Sequence, residues 1–175
     1  MQLTTPRLRL IALVPTEIEL YRRNPAALEE RLGLRLSRDV VTPEVERAMA
    51  VKLSRMAAAP RDRYLWYTFW LVVIECEQFG AGLAGFKGEP SPLGSVELGY
   101  GIDPACQSLG YMTEAVGALI DWAFNDQNCL RVIAETLPGN RASQRVLEKN
   151  RLQFTNRRAG WMVWSLERAD WEIRL

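Results

Sequence analysis

The stretch ELGYGIDPACQSLGYMTEAV, residues 97–116, decides how this chain is read. Residues 94–102 (GSVELGYGI) have the pattern of a strand, ended by the turn signal Asp103-Pro104, whose proline has no amide to give a neighbouring strand. From Tyr111 a helical period takes over, with Met112, Ala115, Val116, Leu119 and Ala123 recurring on one face as far as Asn125. Between the two lies a short loop that contains Gly110. The first amides of a helix have no intrahelical partner and carry partial positive charge, so a loop that turns them outward is an anion site. A pyrophosphate is an anion of the right size, and glycine lets the backbone approach it without a Cβ in the way. Strand–turn–helix units that bind nothing also contain such glycines, so on this segment alone both readings stand.

Working outward toward the N-terminus, residues 80–88 (GAGLAGFKG) and 66–76 (WYTFWLVVIEC) read as two more strands. Helical patterns cover residues 42–58 and 25–35, and Pro15-Thr16-Glu17 opens another helix. In residues 3–13, Leu8 and Leu10 alternate with Arg7 and Arg9, the period of a strand with one wet face. Toward the C-terminus come a strand over 130–136, a helix capped by Asn140 and running to about Asn150, and closing strands over 152–156 and 161–166. The order β, helices, βββ, α, β, α, ββ predicts an α+β fold: a mixed, mostly antiparallel central sheet flanked by helices. With no repeat, linker or charge block, residues 1–175 read as a single domain.

Composition narrows the chemistry. A chain of 175 residues, 48% hydrophobic and 25% charged, is typical of one soluble globular domain. Lys plus Arg is 22 against 21 for Asp plus Glu, so nothing electrostatic points to nucleic acid or to an anionic membrane. The uncharged apolar run at residues 64–74 is far short of the ~20 residues of a membrane span, and the N-terminus lacks a signal-peptide pattern. Cytoplasmic residence is the resulting expectation. The absence of histidine excludes Ser-His-Asp and Cys-His pairs and His-ligated metals. Cys76, Cys106 and Cys129 are widely spaced with no CxxC, so neither a disulfide framework nor a metal is expected. Proton transfer then falls to a carboxylate, a tyrosine, a hydroxyl, an amine or water.

The loop, with Gln107, Gly110 and Met112, resembles the acyl-CoA loop of the GCN5-related N-acetyltransferase (GNAT) family, Gln/Arg-x-x-Gly-x-Gly/Ala. The surrounding run GYGIDPACQSLGYMTEAVGALIDWAF is similar to the RimJ/RimL-type branch. So are the opening TPRLRL, the GFKG of residues 85–88 and NRASQRVLEKN at 140–150. The likeness runs in order from about Leu3 to Asn156. It implies a GNAT-like acyl-CoA N-acyltransferase fold whose fourth and fifth strands splay apart, with acetyl-CoA as acyl donor and no metal. The pantetheine arm would lie against the strand carrying Leu98, Tyr100 and Ile102. The pyrophosphate would sit on Gln107, Ser108, Leu109, Gly110, Tyr111, Met112 and Thr113, and Asn140 and Ser143 would face the pantetheine and thiol end. Met112 stands where the family has Gly or Ala, Arg151-Leu152 replaces a common Gly-Phe, and Asn156 occupies another glycine position.

The implied reaction is direct attack of a primary amine on the acetyl thioester in a ternary complex, the amine belonging to a protein N-terminus or a small molecule. Glu97 is the first candidate for the base and Glu135 the second, each directly or through water. Ser143 would return a proton to the thiolate, a role also open to Tyr100. Local roles remain alternatives: a solvated or ion-paired Glu97, a packed Tyr100, and Asn140 as a helix cap. The helical region 15–58 is expected on the acceptor side. Lys87 and Lys149 are candidates for acidic parts of CoA or for plain surface charge. Because dimers are frequent in the family, a homodimer is an expectation of the resemblance. The competing function is a non-catalytic acyl-CoA-binding module of the same fold.

Overall fold

The computed structural model describes residues 1–60 and 63–173. It opens with β1 (Gln2–Thr4) and β2 (Leu8–Ala12), an antiparallel hairpin where the alternation in residues 3–13 predicts one strand. Pro6 explains the difference: it has no amide to donate, and the Thr5 amide closes the turn on the Leu8 carbonyl at 2.9 Å. α1 (Pro15–Arg23), α2 (Pro25–Leu32), β3 (Arg35–Leu36) and α3 (Pro43–Ala58) follow, each helix starting on a proline whose missing amide costs nothing there. Then come β4 (Trp70–Ile74), β5 (Phe79–Phe86), β6 (Ser95–Ile102), α4 (Tyr111–Phe124) and β7 (Arg131–Thr136). The chain ends with α5 (Arg141–Lys149), β8 (Gln153–Arg158), β9 (Trp161–Glu167) and α6 (Arg168–Glu172).

The aromatic run at 66–76 is strand only from Trp70. Trp66 closes a 3-10 turn, Tyr64–Trp66, and is buried against Phe86 and Trp122, at 5.1 and 4.5 Å between ring centroids. Tertiary packing of the rings, rather than strand pairing, accounts for the aromatic residues before β4.

Among the described residues the sheet has nine strands, in the order β1-β2-β4-β5-β6-β7-β9-β8 with β3 parallel to β5 off this path. Every neighbour along the path is antiparallel except β6 and β7, which are parallel. A parallel pair needs a crossover, and α4 supplies it. One face of the sheet packs on α4 and α5 through Leu10, Trp70, Phe86, Leu98, Val116, Leu119 and Leu147. The other packs on α1 to α3 through Ile11, Leu13, Ile18, Met49, Leu71 and Leu83. β4 is therefore buried on both faces and reads as an unbroken apolar run. The wet face expected of β2 ends at Arg9, because Ile11 meets the helical layer.

Strands β6 and β7 pair only from Ser95↔Arg131 to Leu98↔Ala134. Beyond that point Gly99 to Ile102 stays with β5, and Glu135 and Thr136 stay with β9. The sheet therefore opens at its middle, at the carboxyl ends of its two parallel strands.

Candidate active site

α4 begins at Gly110, whose φ of +82° is a left-handed conformation that glycine adopts without strain. Its first intrahelical bond runs from the Glu114 amide to the Gly110 carbonyl, which leaves the amides of Tyr111, Met112 and Thr113 ahead of the ladder. Among the described residues no side chain caps this end, whereas Asn24, Thr42 and Asn140 cap α2, α3 and α5. Ser108 is also left-handed, at φ +63°. Asn150 draws α5 against α4 by donating to the Thr113 carbonyl at 3.1 Å. Gly117 makes the approach possible, since a Cβ there would stand 3.0 Å from Asn150 Oδ1.

These elements enclose a groove of about 420 Å³. Tyr100, Ile102, Gln107, Ser108, Gly110, Tyr111, Met112, Thr113, Asn140 and Ser143 line it, together with Cys106, Ala142, Arg145, Val146 and Lys149. Two of the residues expected there stand elsewhere. Leu98 is still paired with β7 and faces a second cavity, because the strands part only after it. Leu109 points to solvent, and its carbonyl accepts from Arg7 Nη1 at 2.9 Å. Met112 is buried, with its Cε 3.2 Å from the Cβ position of Gly82, and is still among the residues that line the groove. Arg151 takes the left-handed conformation of the glycine it replaces, at φ +66°; Asn156 lies beside a register shift between β8 and β9 with no positive φ.

The second cavity, about 350 Å³, lies across the opening. Glu97 and Glu135 line it from the two separating strands, with Lys87, Gly99, Thr136, Leu137 and Trp161. Glu97 sits opposite Ile133, so Glu135, two residues on, shares its face of the sheet. Lys87 pairs with Glu97, and Arg158 with Glu135 at 2.7 Å. Tyr100, Asn140 and Ser143 line both cavities and mark where they meet. The Tyr100 hydroxyl donates to the Ser143 carbonyl at 3.0 Å, and burial raises its pKa well above the ordinary phenol value, so it holds its proton. Asn140 Oδ1 accepts from the Ser143 amide at 3.0 Å, the local cap, while still facing the groove. Gln144 fixes the turn before it by donating to the Leu137 and Pro138 carbonyls.

The helical region 15–58 does not line the second cavity; strands and the start of α5 do. Its helices act on the cavity from behind. Lys52, 9% exposed, donates to the carbonyls of Tyr67, Thr68 and Phe86, and Arg55 donates to the Lys87 carbonyl. Burial, helped by the charges of Arg55 and Lys87, brings the Lys52 amine down to about 7.

Cys106, Arg145 and Trp161 received no functional role from sequence patterns. The i, i+4 spacing of Arg145 and Lys149 is a signal for one face of α5; Cys106 and Trp161 carry none that spacing reveals. The Cys106 thiol is raised by burial and by Asp103. Among the described residues, no group of three or more His, Cys, Asp or Glu side chains is placed to hold a metal, and no helix is long and apolar enough to cross a membrane.

The acetyltransferase (GNAT) domain model matches residues 7–153. The uncharacterized N-acetyltransferase YjdG of Bacillus subtilis (strain 168) is 30% identical over 95 residues, 54% of this chain and 56% of that protein. The probable N-acetyltransferase YjcK of the same organism is 44% identical over 52 residues, 30% of this chain and 29% of its own length. The chain thus spans about half the length of the first curated relative and less of the second. The ribosomal-protein-S5-alanine acetyltransferase from Vibrio fischeri superimposes with a TM-score of 0.68 at 20% identity, covering 98% of both chains. RimL, a ribosomal L7/L12 alpha-N-protein acetyltransferase solved in complex with coenzyme A, gives 0.66 at 16% identity, covering 95% of this chain and 98% of that one. At such identities these structures establish a shared fold.

Proposed function

The chain belongs to the GNAT acetyltransferase family, and from that premise we propose that it moves the acetyl group of acetyl-CoA to a primary amine by direct attack in a ternary complex. The observation that carries this reading is the junction of two unlike cavities at Tyr100, Asn140 and Ser143. On one side, uncapped amides at Gly110 to Thr113 suit a diphosphate, and the free edge of Gly99 to Ile102 suits the amide groups of a pantetheine arm. On the other side, two carboxylates face a space that an amine can enter. A thioester drawn to the junction from the first side is then open to attack from the second.

An ammonium has no lone pair, so the acceptor must lose a proton before it attacks. Glu97, or Glu135 across the gap, takes that proton directly or through water, and an arriving ammonium competes with Lys87 or Arg158 for the carboxylate. The nitrogen adds to the thioester carbonyl, the carbon–sulfur bond breaks, and the proton that the nitrogen sheds reaches the departing thiolate by relay through the Ser143 or Tyr100 hydroxyl, which ends neutral. Arg145 and Lys149 offer positive charge at the groove to the phosphates. An α-amine, near pKa ~8, needs less help than a lysine amine near ~10.4. Two solved neighbours are named for ribosomal-protein substrates, so protein N-termini are the first acceptors to try.

The test is thermal stabilisation by acetyl-CoA, followed by a CoA-release screen over N-terminal peptides, polyamines, amino acids and aminoglycosides. Stabilisation with release by one class supports the proposal. Stabilisation without release from any amine supports an acyl-CoA-binding module instead, and no stabilisation overturns the reading of the groove.

A further inference from the structure

The hairpin turn between β1 and β2 touches the start of α4, and the contact is built from charge. Glu114 lies in the first turn of α4, where a free carboxylate would oppose any anion bound at the helix end. Its Oε1 accepts from the Thr5 hydroxyl at 2.6 Å and the Arg7 amide at 2.9 Å, and its Oε2 from Arg7 Nε at 2.7 Å. Partial burial pushes the Glu114 carboxyl up, but the donors of Thr5 and Arg7 outweigh it and hold it below the usual carboxylate range.

The rest of the Arg7 guanidinium reaches the loop. Nη1 donates to the Leu109 carbonyl at 2.9 Å, and the group lies over the Tyr111 ring at 4.7 Å. Nη2 stands 3.3 Å from where a Cβ on Gly110 would be. One side chain therefore holds the residues on both sides of Gly110, fills the space glycine leaves, and neutralises the nearest carboxylate. The Arg7 side chain remains 47% exposed. The same contacts tie the hairpin to α4, so stability and coenzyme A affinity are read separately in the variants below.

We infer that Arg7 is a positioning residue for coenzyme A: it locks the loop at Leu109–Tyr111 and draws the Glu114 charge into the hairpin, so that the amides alone face the diphosphate. The inference rests on the groove being the coenzyme A site. It gives a task to the TPRLRL opening, which the acetyl-transfer chemistry itself leaves unused.

Calorimetric titration with coenzyme A tests it in the full chain. Arg7→Ala is expected to bind about tenfold more weakly, the scale of one lost charged hydrogen bond. In Arg7→Ala/Glu114→Gln the stranded carboxylate is gone, so part of the affinity returns, although the bridge to the hairpin stays broken. A pure fold strut predicts no such recovery. Arg7→Lys keeps the charge but not the fork that spans Leu109 and Glu114, and should bind with intermediate affinity; it serves if Arg7→Ala folds poorly. Wild-type affinity in Arg7→Ala or Arg7→Lys, or a double variant no tighter than Arg7→Ala, overturns the inference. A wild-type chain that does not bind coenzyme A overturns instead the groove reading on which it rests.

Discussion

The two cavities that meet at Tyr100 are made of different material. The larger is walled by the starts of α4 and α5 and the free edge of β6, so backbone groups do much of its work. The smaller is walled by side chains from several strands, its carboxylates held by Lys87 and Arg158 and its mouth flanked by the exposed Leu137 and Trp161. Backbone geometry needs only glycine, a helix start and a strand that leaves its neighbour. Such a site recurs with one short motif. Side-chain geometry is specific to a sequence, and the proposed function puts acceptor choice there.

If that division holds, changes in the first cavity act on coenzyme A and changes in the second act on turnover or acceptor. The largest effect belongs to Gly110→Glu, which strains a left-handed position and sets an acid against the diphosphate. Affinity for acetyl-CoA should fall on the order of 10²–10³-fold by calorimetry. Unchanged affinity would detach the loop from the cofactor.

Next comes Glu97→Gln. Turnover should drop about a hundredfold near neutral pH while coenzyme A affinity stays put. The deficit shrinks as pH rises, because a deprotonated acceptor no longer needs a base. A fully active variant would move the base to Glu135 or to water.

Gly99 shares the Glu97 face, and a Cβ there would meet nothing within 4 Å. Gly99→Val should therefore fill acceptor space, raising the acceptor KM about tenfold and leaving the coenzyme A affinity alone. A shift in coenzyme A affinity of the same size would show that the two cavities are not separable at this point.

The smallest effect concerns the scaffold behind the second cavity. The native Lys52 amine titrates at about 7 and the unfolded one near ~10.4, so between these values only the unfolded chain holds the proton. Stability then rises with pH across that window. The melting temperature of wild type relative to Lys52→Met should climb by a few °C from about pH 7 to about pH 8. A difference independent of pH would contradict the lowered pKa of the Lys52 amine.

What was legible in the sequence follows the same division. The strand–loop–helix at 97–116 is written in local signals: Asp103-Pro104, Gly110 and a 3.6 period, each acting within a few residues. The opening after Leu98 is not local, since it depends on where β7 parts from β6, more than thirty residues downstream by the register Leu98↔Ala134. Pairs such as Arg7 with Glu114 and Arg158 with Glu135 join segments that no periodicity relates. Lys52 is different. Val45, Met49, Lys52 and Met56 fall at helical spacing, a signal, unused in the sequence analysis above, for a lysine on the buried face of α3. Its three carbonyl acceptors are what tertiary structure adds.

The most direct measurement is a crystal structure of the chain with coenzyme A. The account predicts the diphosphate on the amides following Gly110 and the thiol between Tyr100 and Ser143, pointing through the gap in the sheet toward Glu97. A diphosphate bound elsewhere, or a thiol directed away from the carboxylates, would contradict it.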